Sequence, residues 1–162
     1  MIIAGIDIGL TGWVAFLEKG KPMHEMAYPL KQGWKDRLMI CQHVYIEEPQ
    51  ARPAQNVKAT ATSWKNYGRI IGWLESHGVE YTTVHAVTWK AKLGLSRTKV
   101  VKNWTKKQIK EHAVKAAEIL FPNAGFYGSK GGMLDGKAEA YLIAYYGDAI
   151  ERKKLTDKRY CD

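Results

Sequence analysis

The chain has 162 residues and a formal net charge of +9 at pH 7. That length suffices for one domain with its own core. No apolar run approaches the roughly 18–20 residues that a membrane span needs. The N-terminal run Met1-Ile2-Ile3-Ala4-Gly5-Ile6-Asp7 lacks the basic start of a secretory signal. Cys41 and Cys161 show no metal-ligand spacing and read as free thiols of a cytoplasmic protein.

Residues 2–8 are too few and too β-branched for a helix and predict a strand. A turn at 9–12, a strand at 13–17, a turn at 19–22 and a strand at 23–28 complete a three-stranded antiparallel meander. Residues 31–41 suit a short helix. Residues 44–47 predict a fourth strand, stopped by Pro49. A long helix follows over 56–76, with Val57, Ala61, Trp64, Gly68, Ile71 and Leu74 at steps of three and four. Gly68 and Gly72 each weaken it by about 1 kcal/mol relative to alanine, which suggests that another backbone comes close there.

Residues 81–87 predict a fifth strand, expected at the centre of the sheet. Thr105 opens a helix, with Gln108 completing a capping box. Ile109, Ala113, Ala116 and Leu120 form its expected buried stripe, and Pro122 ends it. Residues 125–132 are glycine-rich and read as a flexible loop. The last helix is expected over 134–151, with Ala138, Leu142 and Tyr145 inward. The chain has no internal repeat and no linker. It reads as one α/β domain over 1–152, a mixed sheet flanked by helices, followed by a frayed polar tail at 153–162.

The positive charge is concentrated. Lys90, Lys92, Arg97, Lys99, Lys102, Lys106, Lys107, Lys110 and Lys115 face a single acid, Glu111, within one stretch. Basic residues interleaved with aromatics suit a polyanion that carries stackable bases, so nucleic acid is the expected partner. An anionic membrane surface has no amphipathic anchor to support it.

Four acids stand apart in this basic chain. Asp7 closes the first strand, Glu47 ends the fourth, and Asp135 and Glu139 lie four apart on one face of the last helix. Each alone has an ordinary reading: a turn aspartate, a strand-end charge, a helix N-terminal acid and a solvated helix residue. If the first and fourth strands are neighbours, Asp7 and Glu47 can meet. Carboxylates gathered in one place repel unless a cation joins them. Hard oxygen ligands suit Mg²⁺ or Mn²⁺. Two such ions about 3.5–4 Å apart can drive phosphodiester hydrolysis.

Four stretches, in order, carry a family resemblance. They are Ile6-Asp7-Ile8-Gly9-Leu10-Thr11-Gly12; Tyr45-Ile46-Glu47-Glu48-Pro49 leading to Trp64, Tyr67, Gly68 and Gly72; Val84 through Thr88-Trp89-Lys90 to Leu93-Gly94; and Leu120-Phe121-Pro122 followed by Asp135-Gly136-Lys137-Ala138-Glu139. Together they resemble the RuvC-type Holliday junction resolvases of the ribonuclease H-like superfamily. The small forms of bacterial viruses and their hosts are the most similar.

The resemblance implies a ribonuclease H-like mixed five-stranded sheet, three antiparallel strands and then two parallel. It implies a crossover junction endodeoxyribonuclease with Asp7, Glu47, Asp135 and Glu139 holding Mg²⁺ or Mn²⁺, two ions per site. It also implies a homodimer through the helix of Trp64, Gly68 and Gly72, four-way or branched DNA as substrate, and work in a bacterial or phage-infected cell. Arg52, Lys99, Lys102, Lys106, Lys107, Lys130 and Lys137 are the expected DNA contacts. A less selective branched-DNA or RNA–DNA hybrid nuclease of the same superfamily stands as one alternative; Glu139, where the family pattern usually has aspartate, supports another, a junction-binding protein with a degenerate site. A sugar kinase or actin-like ATPase also opens with a DxGxxG turn, but needs two such domains around its nucleotide.

Overall fold

A computed structural model describes residues 1–8, 12–27, 33–51, 56–96 and 104–159, apart from the side chains of Lys35 and 156–159. β1 (Ile2–Asp7), β2 (Trp13–Glu18) and β3 (Lys21–Ala27) form the meander, and α1 (Trp34–Met39) follows. Then come β4 (His43–Glu47), α2 (Val57–Ser76), β5 (Tyr81–Val84), α3 (Ala86–Lys92), α4 (Lys106–Leu120) and α5 (Asp135–Arg159). The sheet order is β3-β2-β1-β4-β5. β1 pairs antiparallel with β2, as β2 does with β3, whereas β4 runs parallel to both β1 and β5. This mixed five-stranded sheet flanked by helices is the ribonuclease H-like fold.

Strand alternation sorts the core into two layers. Ala4, Ile6, Val14, Phe16, Val44 and Ile46 face one side, where α2 brings Ile70 and Leu74 and α1 brings Leu38. Ile3, Ala15, Leu17 and Tyr45 face the other, against α3, α4 and α5. On that side α5 lies close upon the sheet because two glycines leave room. A Cβ on Gly5 would stand 2.3 Å from the carbonyl oxygen of Ala140 and from the amide nitrogen of Ala144. One on Gly147 would meet the Tyr45 ring at 2.2 Å.

Several expectations need correction. β5 is an edge strand, not a central one. It stops at Val84, and the chain turns at His85 into α3, where a continued strand was expected. Helix signals were present there: lysines in the last turn and Gly94 at φ 71 just beyond. On α2 the packed residues are Ile70 and Leu74. The row Val57, Ala61, Trp64 and Gly68 faces outward, with Val57 82% exposed and Trp64 39%. On α4 the buried residues are Ala113, Val114 and Ala117, while Leu120 is largely exposed.

The capping box forms as expected: the Gln108 amide donates to the Thr105 hydroxyl, and the Thr105 amide donates to Gln108 Oε1. The glycine-rich segment is an ordered small hairpin, closed by the Tyr127–Met133 bridge and by the Gly128 amide donating to the Gly132 carbonyl. Helix α5 continues past residue 151 to Arg159.

Candidate metal centre

The register places the first two acids. Ile6 of β1 is paired with Ile46 of β4, so Asp7 and Glu47 are the next residues at the same end of neighbouring parallel strands. By alternation both belong to the α5 face, since Gly5 and Tyr45 do. The close seat of α5 over Gly5 then sets Glu139 above these strand ends. One carboxylate oxygen from each of Asp7, Glu47 and Glu139 lies within 4.8 Å of the others. All three residues are half-buried.

Such a set fits a small hard cation. Its donors are all carboxylate oxygens, and octahedral Mg²⁺ takes oxygens at about 2.0–2.1 Å, which puts opposite ligands about 4.2 Å apart. Three carboxylates this close repel one another, and a shared divalent ion would relieve that. A cleft lined by Asp7, Ile8, Glu47, Glu48, Pro49 and Ser63 opens beside them.

Residues around the acids are engaged. The Trp89 indole donates to Glu47 Oε2 at 2.7 Å. Lys90 donates to Glu139 Oε1 at 2.6 Å and lies 4.8 Å from the centre of the Trp89 ring. Glu48 meets His85 at 3.3 Å. Asp135 stands one turn before Glu139 on α5 but is not within the close cluster. Its carboxylate pairs with Lys110 of α4 at 2.6 Å.

The expected DNA contacts divide. Lys106, Lys107 and Lys130 are exposed; Lys107 reaches Glu111 at 3.8 Å, an exposed pair of little energetic weight. Arg52, Lys99 and Lys102 lie outside the described residues. Lys137 is not placed to meet a phosphate. It is 5% exposed, ion-paired with Glu25 of β3, and donates to the Ala124 carbonyl at 2.6 Å. The Tyr141 hydroxyl donates to the same Glu25, and burial first, then this bond, raises the Tyr141 pKa. Lys137 follows the acid motif in sequence, yet helical geometry turns it toward the meander.

Trp89 and Lys90 are the residues whose place at the site the sequence did not reveal. Trp89 is fully buried in the core, and its one donor is spent on Glu47. Lys90 is mostly covered beside Glu139.

Solved structures share this fold. The solved structure of T. thermophilus RuvC in complex with a Holliday junction substrate superposes with TM-score 0.61 at 15% identity, over 94% of this chain and 96% of that one. A second Thermus thermophilus RuvC structure gives TM-score 0.54 at 13% identity, over 93% and 97%. No family model and no curated protein matches the sequence. At these identities the likeness shows the fold. Among the described residues no helix is long and apolar enough to cross a membrane.

Proposed function

We propose that this protein is a structure-specific endonuclease that resolves four-way or branched DNA by metal-dependent phosphodiester hydrolysis. The observation that carries this reading is the meeting of Asp7, Glu47 and Glu139 from two strand ends and one helix. The fold it shares with a RuvC solved on a Holliday junction supports the choice of substrate.

In this reading Asp7, Glu47 and Glu139 would hold Mg²⁺ or Mn²⁺, two ions per site. Asp135 completes the set when Lys110 exchanges it for a DNA phosphate. When bound, the ions supply Lewis-acid activation of water and stabilise the leaving oxygen. Lys106, Lys107 and Lys130, with Arg52, Lys99 and Lys102, draw in the phosphates that the acids alone would repel. Lys90 balances the charge of Glu139 in the metal-free protein.

A junction with approximate two-fold symmetry calls for two sites on a C2 dimer. The outward row of α2, with Val57 and Trp64 exposed and open space where a Cβ on Gly68 or Gly72 would stand among the described residues, supports pairing through that helix. We place this work in the cytoplasm of a bacterial cell or a phage-infected host.

The test is cleavage of a synthetic four-way junction with Mg²⁺ or Mn²⁺. Symmetric cuts that Asp7→Asn abolishes are expected. Undiminished cutting by Asp7→Asn overturns the site. Equal cutting of junctions, flaps and RNA–DNA hybrids replaces junction resolution with a less selective nuclease. Tight binding without cutting in any metal makes it a junction-binding protein.

A further inference from the structure

We propose that Trp89 is a positioning residue for Glu47: its indole N–H fixes the carboxylate in the pose that receives a divalent cation. The inference rests on reading Asp7, Glu47 and Glu139 as a metal centre, and it adds to that centre a residue that is not a ligand.

The fold delivers Trp89 to this place by a short path. Val84, the last residue of β5, is paired with Glu47, and the Glu48 amide donates to the Val84 carbonyl. The chain then turns at His85 and returns as α3 over the end of β4. Trp89 sits one turn in, its amide on the His85 carbonyl, with the Leu93 amide on its own carbonyl. The helix is closed by Leu95 donating to the Lys90 carbonyl at 2.7 Å. The ring is fully buried in the core shared with α4 and α5.

An indole has one donor and no acceptor. Buried without a partner, that N–H would carry a desolvation cost. Any backbone carbonyl would satisfy it. Here the partner is Glu47 Oε2 at 2.7 Å, and a donor to a charged acceptor makes one of the stronger bonds. Glutamate has three rotatable side-chain bonds, and packing leaves the indole no freedom to follow it. The bond therefore removes motion from the ligand.

The neutrality of the donor matters as well. A lysine or arginine in that place would compete with the cation for the negative charge, as Lys90 does at Glu139. The indole orients Glu47 through one N–H and brings no positive charge of its own. Successive residues of α3 thus meet two acids differently: Trp89 gives Glu47 a neutral donor, and Lys90 gives Glu139 a charged one.

The test is Trp89→Phe, which keeps an aromatic ring and deletes the N–H, read beside Val114→Ala, a cavity in the same core. Calorimetric titration of the DNA-free protein with Mn²⁺ is expected to give a Kd at least about 10-fold weaker in Trp89→Phe, the usual effect of losing a ligand's supporting hydrogen bond. The Mn²⁺ concentration for half-maximal cleavage should rise by the same factor, while the rate at saturating Mn²⁺ stays within a few-fold. Val114→Ala should lower Tm and leave both Mn²⁺ values alone. Parent-like Mn²⁺ affinity in Trp89→Phe overturns the proposal and spares the metal-centre reading. So does an equal loss in Val114→Ala, which would make the effect mere loosening. A parent that binds no Mn²⁺ overturns both. If Trp89→Phe does not fold, the ¹⁵N-labelled parent decides: the Trp89 indole resonance should shift on Mg²⁺ saturation, and an unmoved resonance overturns the proposal.

Discussion

Gly5 of β1 lies directly beneath Ala140 of α5, so close that a Cβ on the glycine would stand 2.3 Å from the Ala140 carbonyl oxygen. One residue before Ala140 is Glu139, and two after Gly5 is Asp7. The close approach that packs the core thereby also sets the spacing of the acids. Gly5→Ala should push α5 off the sheet and cost about 1–3 kcal/mol, as overpacking does. Denaturant unfolding measures that loss, and Mn²⁺ titration should show binding weakened with it.

Lys137 and Lys107 were both expected to contact DNA, and they should behave oppositely. Lys137→Met removes the partner of Glu25 inside the fold. It should lower Tm and leave the salt dependence of junction binding unchanged. Lys107→Ala, at an exposed position, should leave Tm within a degree or two. Where it touches a phosphate, it reduces the slope of log K against log salt by about 1. Junction binding from low to moderate salt separates the two.

The outward face of α2 gives a test that turns on sign. A Cβ added at Gly68 would point into open space, so Gly68→Ala in an isolated chain should stabilise the helix by about 1 kcal/mol. In a dimer that packs backbone on backbone at Gly68, the same change should weaken association. Sedimentation at several concentrations reads one outcome and thermal melting the other. Trp64→Glu should give a folded monomer, because Trp64 is 39% exposed.

Stability should fall in mild acid through His43. Burial lowers its pKa first of all, with Lys154 adding to this against Glu151 and Glu80, and its ring bonds the Thr82 hydroxyl at 2.7 Å. A histidine whose folded pKa is depressed stays neutral in the fold while the unfolded chain takes up a proton below about 6.5. The unfolded state then binds more protons, so stability drops as pH falls through that value toward the folded pKa. His24, lowered by burial and then by Arg37, acts in the same direction. Melting from pH 7.5 to 5.5 should show the decline, and His43→Gln should flatten it.

How far the sequence revealed this molecule follows from what each signal measures. The meander, β4, α2 and the capped α4 announced themselves through alternation, helical spacing and cap residues, all local properties. The meeting of Asp7 and Glu47 was conditional on β1 and β4 being neighbours, which only topology decides. The outward turn of Trp64 was hidden because periodicity finds an apolar row without saying what covers it. Lys137 misled for a related reason: its position beside Asp135 is a fact of the chain, whereas its burial against Glu25 comes from another strand. α3 was missed because the β-branched residues of the four-residue strand continue through Val87 into the seven-residue helix, so that 81–87 reads as one strand. With it went the indole on Glu47 and the lysine on Glu139.

The central claim is that Asp7, Glu47 and Glu139 form a cation site. Anomalous diffraction from Mn²⁺-soaked crystals measures this most directly. A peak within coordination distance of all three carboxylates, absent in Asp7→Asn, is expected. An empty triad at saturating Mn²⁺, or ions bound elsewhere with cleavage intact, contradicts it.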